Sequence, residues 1–461
     1  MSTTAHRNDP QRSLAPQRSL ALCVALIVAL LVTACSTAHY TVNDPLQARA
    51  SQAEGYAMRN LNIDGNSDGL LVVLALSGGG YRAAALALAV MALLAETPIA
   101  WEGRRSSMLD EVDVISAVSG GSLAAAAYAL DREAFVRDFP ERVLALDLQS
   151  MMLQRALSPS GIWRQTSRSW GRGDLLQELL DEHIFLGRRF AQVQRRRPMV
   201  YINATDMRHG QRFEFTQDQF DHLCSDLDEL PVAWAVAASM AVPVLLSPIT
   251  VWNHNAKCIA PRPLRPVTGQ AAASHYIHLV DGGLADNTGL SALLDNVAVN
   301  GGLRRTAEAF RLQSVRKRVI IVVNAQIERV DPEAESPHTP GLMRQLSSLV
   351  NVPIDRHADA KLQHLSQVVR QWQEELRSTG GSTARDLADG FHIVEVSLAR
   401  ARDPALEAQL QSIPTGLRIT AEQVSHIRRF VREDLAHNPE WLRLLADLHA
   451  PVGGMQALAI D

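Results

Sequence analysis

Seven consecutive apolar residues, 70–76, run straight into Ser77-Gly78-Gly79-Gly80-Tyr81-Arg82, and an unbroken Ala/Leu-rich stretch follows over 83–96. A purely apolar run of strand length is expected of a parallel strand covered on both faces. Ala and Leu are strong helix formers, so the stretch after the glycines reads as a buried helix. The unit is strand, tight loop, helix, and it recurs. Residues 112–118 are rich in β-branched side chains, Ser119-Gly120-Gly121 is the turn, and 122–130 is an Ala-rich helix. Further strands read at 198–203, 276–280, 318–324 and 391–396. Strands alternating with helices imply an α/β fold with a mostly parallel central sheet, helices on both faces, and chemistry at the strands' carboxyl ends.

The N-terminus stands outside that fold. Arg7, Arg12 and Arg18 precede an apolar run over 20–32. The run is shorter than the roughly 20 residues a membrane-spanning helix needs, and a basic start before it is the pattern of a secretory signal. It ends Leu31-Val32-Thr33-Ala34-Cys35-Ser36, which resembles the lipobox of bacterial lipoproteins. That resemblance implies removal of 1–34, lipidation of Cys35, and anchoring to a membrane in the cell envelope. Ser36 after the cysteine favours the outer membrane. Residues 35–68 are polar and read as a tether. Cys23 leaves with the signal, so Cys224 and Cys258 remain in an oxidising compartment and are expected to form a disulfide. Two separate buried thiols are the alternative.

With 461 residues the chain can bury a large core. A net charge of −4 offers no basic footprint for nucleic acid. The catalytic domain is expected over 69–330, with an insertion at 133–195, and a mostly helical C-terminal region over 331–461 packed on the core. The insertion carries Trp163, Arg164, Arg168, Trp170 and Arg172 before an amphipathic helix with Leu175, Leu176, Leu179 and Leu180. Trp and Arg suit a lipid interface, but the favoured reading is a cap packed on the core with solvated arginines. Oligomeric state is not legible.

Three local patterns carry chemistry. Ser119 lies on a glycine-flanked turn between strand and helix, which would lift its hydroxyl over a helix N-terminus where backbone N–H groups favour negative charge. Gly78, Gly79 and Gly80 would bring backbone donors close to a ligand. A phosphate cradle is one reading of them, but the Lys of a nucleotide-binding P-loop is missing. An oxyanion hole is the other. Arg82 would orient that loop or cap its helix. Asp281, followed by Gly282-Gly283, ends a strand and is a candidate base for Ser119. An ordinary carboxylate, with pKa about 3.9, is a weak base for a hydroxyl, so burial must raise it, or a histidine must serve with Asp281 orienting it. No histidine sits in a marking motif; His275, His278 and His392 are the ones weighed. No clustered metal ligands stand out, and no cofactor is expected.

Over about 70–330 the chain resembles a patatin-like phospholipase. The residues that carry the likeness are Gly78, Gly79, Gly80 and Arg82; Ser119 with Gly121; and Asp281-Gly282-Gly283 with Asp286-Asn287. Asn203-Ala204-Thr205-Asp206 and Ala238-Ser239-Met240-Ala241-Val242-Pro243 support it. The resemblance implies a serine–aspartate dyad without a histidine, in which Ser119 attacks the ester, Asp281 takes its proton and later activates water, and the glycine loop holds the oxyanion. The implied activity is hydrolysis of phospholipid or lysophospholipid acyl esters. The family usually has Gly two residues before the nucleophile; here it is Ala117. That departure leaves a second expectation open, a lipid-anchored binding or assembly module that keeps the fold without the chemistry.

Overall fold

Along β1 (Leu70–Leu76) successive side chains point to opposite sides. Val72, Leu74 and Leu76 join one apolar cluster, with helices α1 (Gly80–Glu96) and α2 (Gly120–Leu130). Val73 and Ala75 join a second, with α10 (Ser291–Asn300) and the long α11 (Leu342–Thr379). A strand apolar at every position is therefore one covered twice. The computed structural model describes residues 43–46, 55–62, 65–255, 274–302, 305–306, 314–327, 337 and 339–448.

Among the described residues the central sheet has eight strands. Its path runs β10 (Phe391–Ser397), β9 (Lys317–Asn324), β1, β4 (Val112–Val118), β5 (Met199–Asp206), β8 (Tyr276–Val280) and β7 (Ile249–Trp252), with β6 (Gln211–Glu214) also paired to β5. Pairing is parallel from β10 through β5. The strand that leads into Asp281 departs from simple alternation. β8 is antiparallel to β5, with Thr205 opposite Val280, and β7 is antiparallel to β8. Asp281 thus enters the carboxyl end of the parallel strands from outside. The small hairpin of β2 (Pro98–Trp101) and β3 (Arg104–Ser107) has no counterpart in the sequence reading.

Helix α1 starts at Gly80, three residues earlier than expected, so two of the glycines supply its cap and its first turn. It is apolar all round and nearly all buried, as such a helix must be. It packs against α2 and against α14 (Ala421–His437) of the C-terminal region. The C-terminal region is helical as expected and also donates edge strand β10 to the sheet.

The tether reading needs correction for the described parts of 35–68. Asn43 bonds Ser225 Oγ at 2.7 Å and accepts from Trp252 N at 2.7 Å. Tyr56 is buried in the core, its hydroxyl accepting from Val200 N at 2.9 Å. These pieces belong to the domain. Cys35 and the signal segment lie outside the described residues. Cys224 is disulfide-bonded; Cys258 lies outside the described residues.

The insertion divides in two. α3 (Arg132–Phe139) and α6 (Arg172–Leu180) bury Phe135, Phe139, Leu175, Leu176, Leu179 and Leu180, as a cap packed on the core should. Between them, α4 (Leu148–Leu157) buries only Leu148 and α5 (Pro159–Arg164) only Gly161. Among the described residues no helix is long and apolar enough to cross a membrane.

Candidate active site

Ser119 holds φ 50° and ψ −123°, a conformation that costs a non-glycine residue of order 1–3 kcal/mol. Its neighbours hold it there. Ser119 N–H donates to Ser239 Oγ at 2.8 Å, and Ser239 Oγ–H donates to Asn203 O at 2.6 Å. The strain turns the side chain out of β4 just ahead of the N-terminus of α2. Ala117, two residues earlier, lies within β4, so its methyl meets no left-handed backbone. The one feature favouring a non-catalytic module therefore carries no strain.

Ser119 Oγ–H donates to Asp281 Oδ2 at 2.8 Å across 162 residues of sequence. Both side chains are buried, at 6% and 3% exposure. The second Asp281 oxygen accepts from Gly283 N–H at 2.7 Å. Its backbone is tied by Asp281 N to Ala241 O at 2.9 Å and by Thr205 Oγ to Asp281 O at 2.8 Å. Burial pushes the carboxyl up to about 6, with the Gly283 N–H and the Ser119 hydroxyl working against that rise. No cation among the described residues bonds it. Near neutral pH it is ionised, yet a stronger base than an ordinary aspartate.

Among the described residues no histidine joins the pair. His278 lies in β8 and pairs with Thr250 Oγ at 3.0 Å. His392 is opposite Val319 near the amino end of the sheet, beside Asp447. Burial lowers it to about 4, so it is neutral. His275 leaves the pair alone too; its carbonyl accepts from Asn253 N.

The glycine loop abuts the serine turn. A Cβ at Gly120 would collide with the Gly80 carbonyl, so only glycine permits this approach. Gly79 adopts φ 137°, open to glycine alone. Gly121 lies against Ser77 of the same loop. The three loop glycines are not equivalent. Gly78 N–H donates to Asn287 O at 3.1 Å, so it is spent on structure. The N–H groups of Gly79, Gly80 and Gly120 have no partner among the described residues. Of the two roles expected of Arg82, the bonds fit orienting the loop: its Nε donates to Ala325 O at 3.0 Å and Nη1 to Ile413 O at 2.7 Å. It holds the loop to the rest of the chain through carbonyls.

Residues 74–294 match the family model described as patatin-like phospholipase. They form a patatin-like phospholipase domain. That family implies lipid acyl hydrolase activity, hence a lipid substrate. No curated protein matches the chain. Among solved structures the chain is similar to VipD from Legionella pneumophila, at 12% identity over 87% of this chain and 72% of that one, with a TM-score of 0.28. A likeness that distant carries no argument about this site.

The patatin-like domain explains several contacts that sequence reading left without a role. Ser239 and Ala241, in the stretch noted as supporting the likeness, hold Ser119 and Asp281 respectively. Thr205 and Asn203, in the other, brace the same two residues. The signal was present as residue type, but not as partner. The C-terminal region, beyond the family match, also reaches the loop: Tyr81 N–H donates to Gly416 O at 2.9 Å. A cavity lined by Leu294, His364, Trp372 and Glu375 lies against α11, away from the dyad. Among the described residues no cluster of three His, Cys, Asp or Glu could hold a metal ion.

Proposed function

We propose that this protein hydrolyses acyl esters of phospholipids or lysophospholipids, with Ser119 as nucleophile and Asp281 as the sole base. Asp281 Oδ2 takes the hydroxyl proton as Oγ forms a bond to the ester carbonyl carbon. The carbonyl electrons move onto oxygen, and the free N–H groups of Gly79, Gly80 and Gly120 are the donors suited to receive that charge. The intermediate then expels the alcohol, which leaves with the proton from Asp281. Water, deprotonated by the same carboxylate, attacks the acyl-serine and regenerates the hydroxyl. The chemistry calls on no metal or cofactor.

The observation that carries this reading is the 2.8 Å bond between a strained serine and a raised, cation-free carboxylate. We place the enzyme at the cell envelope, held by lipid on Cys35, on the strength of the lipobox-like sequence. The catalytic domain proposed is 69–330, with 331–461 completing its sheet and bracing its loop. Replacing Ser119 by Ala is expected to abolish both hydrolysis of a chromogenic fatty-acyl ester and labelling by a fluorophosphonate probe, with circular dichroism unchanged. Retained labelling of that variant would overturn the assignment of the nucleophile.

A further inference from the structure

The stretch 148–173 contains Arg155, Arg164, Arg168 and Arg172, and not one Asp or Glu. Leu148 and Trp170 tie it to the core, and between them it turns large apolar side chains outward. Leu153 and Leu157, one helical turn apart on α4, are 61% and 66% exposed; Ile162 and Trp163 on α5 are 56% and 43% exposed. A run of large apolar side chains on one short pair of helices is not the scattered exposure usual for a surface. We propose that α4 and α5 are a docking surface for an anionic lipid bilayer.

Three observations commit the surface to that occupant. First, its charge is one-sided and in part available. Arg155 pairs with Glu182 at 2.6 Å and Arg164 with Glu178, but Arg168 and Arg172 have no carboxylate partner among the described residues. Leu and Trp side chains flanked by arginines without a carboxylate partner among the described residues match an interface whose apolar layer lies under negative headgroups. Second, the tryptophans differ as this requires. Trp170 is buried, with Arg164 over its ring and its Nε1 bonded to Glu178. It anchors the segment between α5 and α6, while Trp163 is left to the outside.

Third, the surface is joined to the dyad by a short chain of contacts. Arg164 fastens α5 to α6 through Glu178. The start of α6 fastens to a turn at 242–247, by Arg172 Nη2 to Val244 O at 2.7 Å and Gly173 N to Ser247 Oγ at 2.8 Å. That turn begins just past Ala241, whose carbonyl holds Asp281. Its tip, Val244 and Leu245, is 40% and 61% exposed, and Val244 is held at φ 74°. A bilayer engaged by α4 and α5 would thus be linked, through the 242–247 turn, to the Ala241 carbonyl that holds the base. The proposal extends the lipid-hydrolase reading but does not require Ser119 to be reactive.

The test uses the full chain bearing Ser119→Ala, so that lipid is not consumed, reconstituted into vesicles of brominated phosphatidylcholine with phosphatidylglycerol. Bromine quenches only tryptophans that enter the acyl region. The parent is expected to lose up to one tryptophan's share of the emission from its seven, and adding Trp163→Phe is expected to remove that loss. Arg168→Glu is expected to cut the quenched fraction by at least about half, and omission of phosphatidylglycerol by more, since each basic residue near an anionic surface favours binding by about fivefold. Equal quenching with and without Trp163 overturns the proposal. So does emission that ignores lipid but changes with protein concentration, which would assign the surface to a second copy of the chain. Quenching at Trp163 in a chain whose Ser119 form hydrolyses no ester would sink the proposed function and leave the docking surface standing.

Discussion

Two aspartates are buried against the same sheet, and only one is suited to chemistry. Asp113 lies near the amino end of β4, its oxygens bonded to Arg197 Nη1 at 2.6 Å and Val72 N–H at 2.8 Å. Asp281 lies at the carboxyl end, bonded to a hydroxyl and one backbone N–H. Burial pushes both up, Asp281 to about 6. The difference is the partner. Asp113 faces a guanidinium that neutralises it and gives up no proton in use. Asp281 faces a group whose proton it can take. Depth of burial does not distinguish a structural carboxylate from a base; what it is bonded to does.

The largest effect that would sharpen this contrast is on turnover. Asp281→Asn keeps the shape and the Gly283 N–H bond, but its amide nitrogen can only donate toward Ser119 Oγ where the carboxylate accepted. With the base removed, kcat is expected to fall by about 10³-fold or more. In the parent, kcat/KM should fall as pH drops through about 6, where Asp281 takes up a proton. A profile flat through that range would break the comparison. Asp113→Asn should do the reverse: the folded protein is expected to keep its turnover of the same ester, and a loss comparable to that of Asp281→Asn would break the comparison.

Next in size is an effect of opposite sign at Asp281. Its pKa is raised on folding, so its ionised form destabilises the native state, and that penalty appears as pH rises from the unfolded value toward about 6. Asp281→Asn is therefore expected to stabilise the fold by about 1–3 kcal/mol above that pH, with the gain vanishing in acid. Equal stability at both extremes in thermal melts would contradict a raised native pKa. Ser239→Ala strands Ser119 N and Asn203 O, and should cost roughly tenfold in kcat, about 1.4 kcal/mol. Smallest of all, His392→Gln at the amino end should leave kcat/KM unchanged, whereas a triad would lose most of it.

The contrast also marks what could be read without coordinates. Ser119-Gly120-Gly121, Gly78-Gly79-Gly80 and Asp281-Gly282-Gly283 were legible because close backbone approach and left-handed turns admit few residue types. Asp113 was passed over because nothing local marks a buried ion pair. The helix 172–180 and the pair of helices before it share one insertion and were read alike. Only burial separates the half that packs on the core from the half that exposes Leu157 and Trp163.

The order of residues alone determined the strand–loop–helix units, the central sheet, and the two side chains that meet at 2.8 Å. Apolar periodicity and glycine placement are local properties, and they survive in one dimension. Tertiary structure alone decided that β8 runs antiparallel, that Gly78 N–H is spent on Asn287 while Gly79 and Gly80 have no partner among the described residues, and that Arg82 is held by Ile413, 331 residues away. Those are contests among distant groups for a limited set of hydrogen-bond partners, and their outcome depends on which groups the folded chain brings within reach.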